Sequence, residues 1–293
     1  MKARVLITKL LIVLLATMNG ATARPMPVQD TGDATKITAG EEREVLEVAE
    51  RFVRRMEETY DLAPLIGEMF VSDYAERLRR EAINEPLFLV KKGVAKQAGR
   101  EDLLRYQVAY NNCLYVVGLL YAAYEASRPA ADGEGEDIEV FSKVLPPGVL
   151  DLFKNDPILA CLFEEEQKDR ARENQSAERT AKSDSDDSEP IRSVEQLRSF
   201  TSTLERANAL ARKHLDASPS RISMLERHKG ASEEENREAE RDWTRPRAWV
   251  LGKESYGYPE GTRIFCANVL MYHMDLVRVD GKMKVLALYL NTD

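Results

Sequence analysis

Between Glu41 and Met56, apolar residues recur in steps of three and four. Val45, Val48, Ala49, Phe52, Val53 and Met56 form one stripe, which predicts an amphipathic helix. Glu41, Glu42 and Glu44 stand in its first turn, where negative charge suits the helix dipole. Asp61 and Pro64 predict a second start, with Asp61 as cap and Leu65, Ile66, Met69, Phe70, Tyr74 and Leu78 on one buried face. Leu87–Val90 after Pro86 reads as a short strand or a helix start. Glu101 to Ala126 is apolar nearly all round, which predicts a helix at the centre of a core. Its tyrosines at 106, 110, 115, 121 and 124 either line a pocket or pack in that core. Ile138–Val144 and Val149–Phe163 read as helices, with Pro157 starting or kinking the second. Ser193-x-x-Gln196 has the form of a capping box, ahead of a stripe through Val194, Leu197, Phe200, Leu204, Ala207 and Leu210.

The pattern changes at Arg247. Trp249–Leu251 predicts a strand. Thr262–Val279 is rich in β-branched and aromatic residues and reads as one long strand. Asp280-Gly281 is a two-residue hairpin signal, and Met283–Leu290 returns as the partner strand. With Val279 opposite Lys282, this register sets Tyr272 against Tyr289, His273 against Leu288 and Asp275 against Leu286. Period two then puts Tyr272, Met274, Leu276, Met283, Val285, Ala287 and Tyr289 on one face. Met271, His273, Asp275, Val277, Lys284, Leu286, Leu288 and Leu290 share the other. Both faces are largely apolar, so both should be covered. A bulge in the first strand would shift the register beyond it.

The predicted architecture is α+β. N-terminal amphipathic helices pack on a C-terminal antiparallel sheet, and the middle is mostly helical. By region, 41–163 is the helical part of the core, 164–192 a polar linker, 193–246 a helical polar segment and 247–293 the sheet. From Glu164 to Pro190 no apolar side chain is larger than alanine, too little to offset the entropy of ordering. Residues 24–40, rich in Pro, Thr, Asp and Gly, read as a flexible lead-in.

Residues 1–23 have the form of an export signal. Lys2, Arg4 and Lys9 are basic, Leu10–Ala16 is an apolar run, and Ala21-Thr22-Ala23 is a small-x-small cleavage site. The run is shorter than the roughly 20 apolar residues of a membrane span. The expectation is cleavage after Ala23 and an exported chain, periplasmic or extracellular. Losing those three basic residues from 42 leaves 39 against 50 acidic ones, a net charge of −11 in place of −8. That balance argues against general affinity for nucleic acid. In an oxidising compartment Cys113, Cys161 and Cys266 would hold either one bridge and one thiol or three buried thiols. Each sits in an apolar run, which favours three thiols.

Two amphipathic helices (EREVLEVAERFVRRMEETYDLAPLIGEMF) ahead of a distant C-terminal hairpin (DLVRVDGKMKVLALYL) resemble the NTF2-like (SnoaL-like) fold over residues 41–90 and 247–291. The resemblance implies a cone of helices packed into a curved antiparallel sheet. That family mixes enzymes, binding modules and assembly domains, so it implies no single activity.

The best candidate chemistry is His273 with Asp275, two apart on one strand face. In a half-apolar cavity such a pair suits general acid–base work on a small ligand. Lys284, diagonal to Asp275, offers the plainer reading of a cross-strand ion pair. Asn268 falls on the opposite face and outside the set. No nucleophile elbow, HExxH, SxxK set, phosphate loop or dinucleotide fingerprint is present, so no cofactor or metal is expected. Asp184, Asp186 and Asp187 lack the spacing of a calcium loop. Two functions follow: a non-catalytic domain binding a small apolar ligand or a protein partner, or a cofactor-independent hydrolase or isomerase using His273 and Asp275.

Overall fold

The structure, a computed structural model, describes residues 36–84, 87–127, 144–159, 190–217, 223–229, 247–251 and 257–290. The expected export signal, most of the lead-in, the polar stretch 164–189 and Cys161 lie outside these residues. The described elements are helices and one antiparallel sheet, an α+β arrangement. No helix among the described residues is long and apolar enough to cross a membrane. The chain divides into two compact units, one within Ala75–Arg221 and the other within Thr17–Tyr74 and Ile222–Asp293.

The second unit holds the sheet. Its first helix, α1 (Ala39–Thr59), starts two residues earlier than the acidic cluster suggests. Thr38 is the cap: its hydroxyl accepts from the Glu41 N–H, and Glu41 Oε2 accepts from the Thr38 N–H at 2.9 Å. Those bonds hold the Glu41 carboxyl below the usual carboxylate range. The stripe from Val45 to Met56 is buried as the periodicity predicts. Tyr60 ends the helix in the left-handed region. Asp61 then caps α2 (Leu62–Met69), its carboxylate accepting from the Ala63 N–H at 3.1 Å.

The expected single buried face from Leu65 to Leu78 is instead broken. The helix stops at Phe70, which is extended and bridges Val285 at the sheet edge, with the Val71 N–H donating to Val285 O at 3.0 Å. A new helix, α3 (Tyr74–Asn84), follows. The sheet edge offers Val71 a backbone acceptor that a continuous helix would leave unused.

Four strands form a meander in the order β1 (Arg247–Val250), β2 (Ile264–Val269), β3 (Tyr272–Val279) and β4 (Lys282–Leu290), all antiparallel neighbours. Two features correct the sequence reading. The expected long strand folds back on itself at Leu270-Met271, where Leu270 has φ 55 and Val269 pairs with Tyr272. No turn-forming residue occupies that fold-back, and leucine rarely takes positive φ. The β3–β4 register runs as expected from Val279–Lys282 to Leu276–Val285 and then slips. Leu286 is an extra residue, so a bulge sits in the second strand of the hairpin and not the first. Beyond it Asp275 faces Ala287, Met274 faces Leu288, His273 faces Tyr289 and Tyr272 faces Leu290. Ala287 and Tyr289 therefore join the His273 face, and Leu288 and Leu290 leave it.

The face carrying Tyr272, Met274 and Leu276 packs against α1. Phe52 meets Tyr272 edge to face with ring centroids 5.2 Å apart, and Phe70 closes the cluster 6.1 Å from Phe52. Arg278 Nη1 donates to Glu44 Oε1 at 2.8 Å and fastens the same helix at its start.

The Asp280-Gly281 turn has positive φ at both residues, 49 and 74, as this dipeptide predicts. A Cβ at Gly281 would meet nothing within 4 Å, so the constraint is conformational and not steric crowding. Gly281→Val should therefore cost more than about 1 kcal/mol, read as a lower urea midpoint with unchanged m-value.

The first unit is helical. α5 (Arg100–Ser127) and α7 (Val194–Asp216) pack together, and α6 (Pro147–Asn155) lies against α7. The short helix α4 (Lys92–Gln97) precedes α5. Tyr106, Tyr110 and Tyr115 are buried, and the Tyr106 hydroxyl donates to Phe88 O at 2.6 Å, the core-packing alternative for these side chains. Arg198 grips Asp102 with two bonds of 2.9 and 3.0 Å, which hold the Asp102 carboxyl below the usual range. Asp156 ends α6, and its carboxylate accepts from the Ile158 N–H at 2.9 Å, so Pro157 opens a new turn. Val90 forms a single parallel bridge with Ile191 and no longer strand. Ser193 caps α7 through the Gln196 N–H at 3.1 Å, but Gln196 returns its bond to the Arg192 N–H at 2.7 Å.

Candidate functional site

The sheet face opposite α1 carries three cross-strand rows. Arg247, Asn268, His273 and Tyr289 form the first; Trp249, Cys266, Asp275 and Ala287 the second; Ile264, Val277 and Lys284 lie in the third. Exposure falls from the first row to the second. Tyr289 is 42% exposed and His273 half-buried, whereas Cys266 and Asp275 are buried, as are Ile264 and Val277 in the third row beside a half-buried Lys284. Asn268, Cys266 and Asp275 are thus buried, and His273 links them to the exposed Tyr289.

His273 and Asp275 share this face, as the two-residue spacing predicts, and they touch. His273 Nε2 lies 3.1 Å from Asp275 Oδ1, an ion pair when the ring is doubly protonated. The Leu270-Met271 turn brings two further residues to them from β2. Asn268, expected on the opposite face, lies directly across from His273, with its Oδ1 2.8 Å from His273 Nδ1. An amide oxygen only accepts, so Nδ1 is the donor of that bond. Cys266, read from sequence as one of three core thiols, lies across from Asp275 and donates from Sγ to Asp275 Oδ1 at 3.0 Å. Lys284 is not the partner of Asp275. It faces Val277, and its Nζ donates to Glu68 O at 2.7 Å.

One carboxylate oxygen therefore serves both an imidazole and a thiol. The three potential donor atoms of Cys266, His273 and Asp275 all lie within 4.8 Å of one another. Around them stand two aromatic rings, Trp249 with its centroid 5.5 Å from the His273 ring and Tyr289 at 5.8 Å. Trp249 comes from β1 and Tyr289 from β4, so the imidazole sits between strands on either side. The Tyr289 contact exists only because the bulge moves Tyr289 onto this face.

The other described thiol, Cys113, is buried in α5, and burial pushes its pKa up to about 12. Both Cys113 and Cys266 are free of disulfides. Compared with known proteins, the chain matches no protein-family model, no curated protein and no solved structure.

Proposed function

We propose that this chain is a binding protein for a small, flat, largely apolar ligand, held against the Trp249, His273 and Tyr289 rings of the sheet. What carries the reading is the state of the imidazole. Both of its nitrogens are engaged by protein groups, Nδ1 by Asn268 and Nε2 by Asp275. A general acid or base needs one nitrogen within hydrogen-bond reach of the reacting group. Here each would first have to give up a partner, which argues against the hydrolase or isomerase alternative. The ring itself, flanked by an indole and a phenol at a half-open rim, is suited to stacking on an aromatic or planar apolar molecule. The bulged four-stranded sheet with helix α1 on one face is the wall of an NTF2-like cone in this reading. The protein works after export, with residues 1–23 removed at Ala23.

The test is a titration with N-phenyl-1-naphthylamine, an uncharged aromatic fluorophore. Trp243→Phe leaves Trp249 as the remaining indole. Saturable probe binding that quenches Trp249 emission, and that falls at least about 10-fold in Tyr289→Ala and Trp249→Ala, is the expected result. Loss of about 1.4 kcal/mol of stacking contact corresponds to that factor. Probe binding that does not saturate, or that is unchanged in both variants, overturns the reading.

A further inference from the structure

We infer that Cys266, His273 and Asp275 form a binding site for one transition-metal dication, with zinc as the best-matched ion. The site lies mainly in the buried second row, beneath the aromatic rim, and does not rest on the apolar-ligand reading.

Three features of the geometry point to it. The first is the donor set. A thiolate, an imidazole and a carboxylate are the three ligand types zinc takes from proteins, and three protein ligands leave a fourth position for water or an exogenous ligand atom. Sulfur with imidazole selects against magnesium and calcium, which want oxygen. The second is spacing. Tetrahedral zinc at its usual bond lengths holds sulfur and oxygen about 3.5 Å apart, and nitrogen and oxygen about 3.3 Å apart. The present separations are 3.0 Å from Cys266 Sγ to Asp275 Oδ1 and 3.1 Å from His273 Nε2 to the same oxygen. A metal needs these pairs to open by only a few tenths of an ångström. In both pairs it takes the place of a shared hydrogen.

The third is the orientation of the ring. Asn268 Oδ1 accepts from Nδ1–H at 2.8 Å, which directs Nε2 toward Cys266 and Asp275. An imidazole that ligates through one nitrogen and donates through the other to a fixed oxygen is the arrangement found around protein-bound metals. Asn268 is a positioning residue here, not a ligand.

The charge and proton balance is complete. In the empty site the Cys266 thiol keeps its hydrogen and gives it to Asp275 in a hydrogen bond. On binding, the S–H bond breaks, a metal–sulfur bond forms, and the proton goes to solvent. The hydrogen shared by His273 Nε2 and Asp275 Oδ1, whether the ring or the carboxyl carries it, goes to solvent in the same way. Thiolate and carboxylate together then neutralise the dication. Binding should therefore tighten as pH rises, because protons are products of the step.

Cobalt(II) is the probe, since it takes zinc sites and is coloured. The full chain, freed of metal with chelator, should bind one equivalent. Binding should give a thiolate-to-cobalt charge-transfer band and the intense visible bands of a tetrahedral site. Zinc added afterwards should abolish both. Cys266→Ser should lose the charge-transfer band. His273→Gln, at a half-buried position that tolerates change better, should weaken cobalt binding at least about 10-fold, and Asn268→Ala about 10- to 100-fold. Cys113→Ser and Cys161→Ser should leave the titration unchanged. The inference is overturned if the intact chain shows no saturable band, or if the band survives both Cys266→Ser and His273→Gln. Loss of the band in Cys113→Ser or Cys161→Ser, with Cys266→Ser unaffected, overturns it as well. N-phenyl-1-naphthylamine binding, measured on metal-free protein, tests the ligand reading separately.

Discussion

Val285→Asp should destabilise the sheet unit by about 4 kcal/mol or more, a large fraction of the roughly 5–15 kcal/mol that holds an ordinary domain folded. Val285 is fully buried and stands at the junction of three elements. It pairs with Leu276 in β3, its carbonyl accepts from the Val71 N–H at 3.0 Å, and it borders the bulge at Leu286. Its face is the one packed on α1, where Phe52, Phe70 and Tyr272 form the aromatic core. A carboxylate there loses its hydration, and the cation that β3 places on the same face, Arg278, is held by Glu44. Removing the valine also forfeits about 1.5–3 kcal/mol of apolar burial. Urea unfolding followed by Trp249 emission, in a Trp243→Phe background, measures the loss. Val285→Thr keeps the shape and buries only a hydroxyl, and should cost about 1–3 kcal/mol.

The pH dependence gives the mechanism away. Burial raises the pKa of the introduced carboxyl in the folded state, so the folded state binds more protons than the unfolded one. The deficit should then be largest at neutral pH and shrink as pH falls toward the unfolded carboxylate value near 4. A deficit independent of pH would mean that lost packing and not charge is responsible. An urea midpoint equal to the parent's would mean that Val285 is not in the core.

The same hairpin shows where sequence reasoning holds and where it fails. Asp280-Gly281 announces its turn because aspartate and glycine tolerate positive φ, and the structure has both residues there. The preceding turn is silent. Leu270-Met271 lies inside the apolar run Val269–Tyr272, and no glycine or proline interrupts the segment, so Thr262–Val279 reads as one strand. Treating it as one strand places Asn268 on the wrong face and leaves Cys266 looking like a core thiol. A signal was nonetheless available. Cys266, Asn268, His273 and Asp275 are placed symmetrically about Leu270-Met271, so folding at that point sets each polar residue opposite another. An unpaired polar residue in an apolar sheet is costly, and a mirrored set of four relieves the cost by pairing.

The bulge was less legible. KVLALYL is apolar at nearly every position, so period two has no polar markers to betray a slip. The two registers bury similar side chains, and the choice between them falls to tertiary contacts. Helix α1 was readable because its polar face is charged throughout. The break at Phe70 was not, because the apolar spacing from Leu65 to Leu78 continues in helical phase. Only the β4 edge, distant in sequence, decides that Phe70 is extended.

Phe52→Ala should cost about 3–5 kcal/mol, the range for removing a fully buried ring from a packed core. Phe52 lies at the centre of the α1 stripe and is fully enclosed. Its ring meets Tyr272 edge to face at 5.2 Å and Phe70 at 6.1 Å, so it joins the helix, the α2–β4 edge contact and the middle of the sheet. Alanine would leave a cavity that the neighbouring helix backbone cannot fill by a side-chain shift. Phe52→Leu retains most of the volume and loses the ring geometry, and should cost about 1 kcal/mol beyond its area change. A double-mutant cycle with Tyr272→Leu isolates the ring pair, with an expected coupling of about 0.5–1.5 kcal/mol. The measurement is urea unfolding monitored at Trp249, whose strand belongs to the same unit. If Phe52→Ala lowers stability by less than about 1 kcal/mol, α1 does not hold the sheet. The wall against which the Cys266–His273–Asp275 face is built would then need another support.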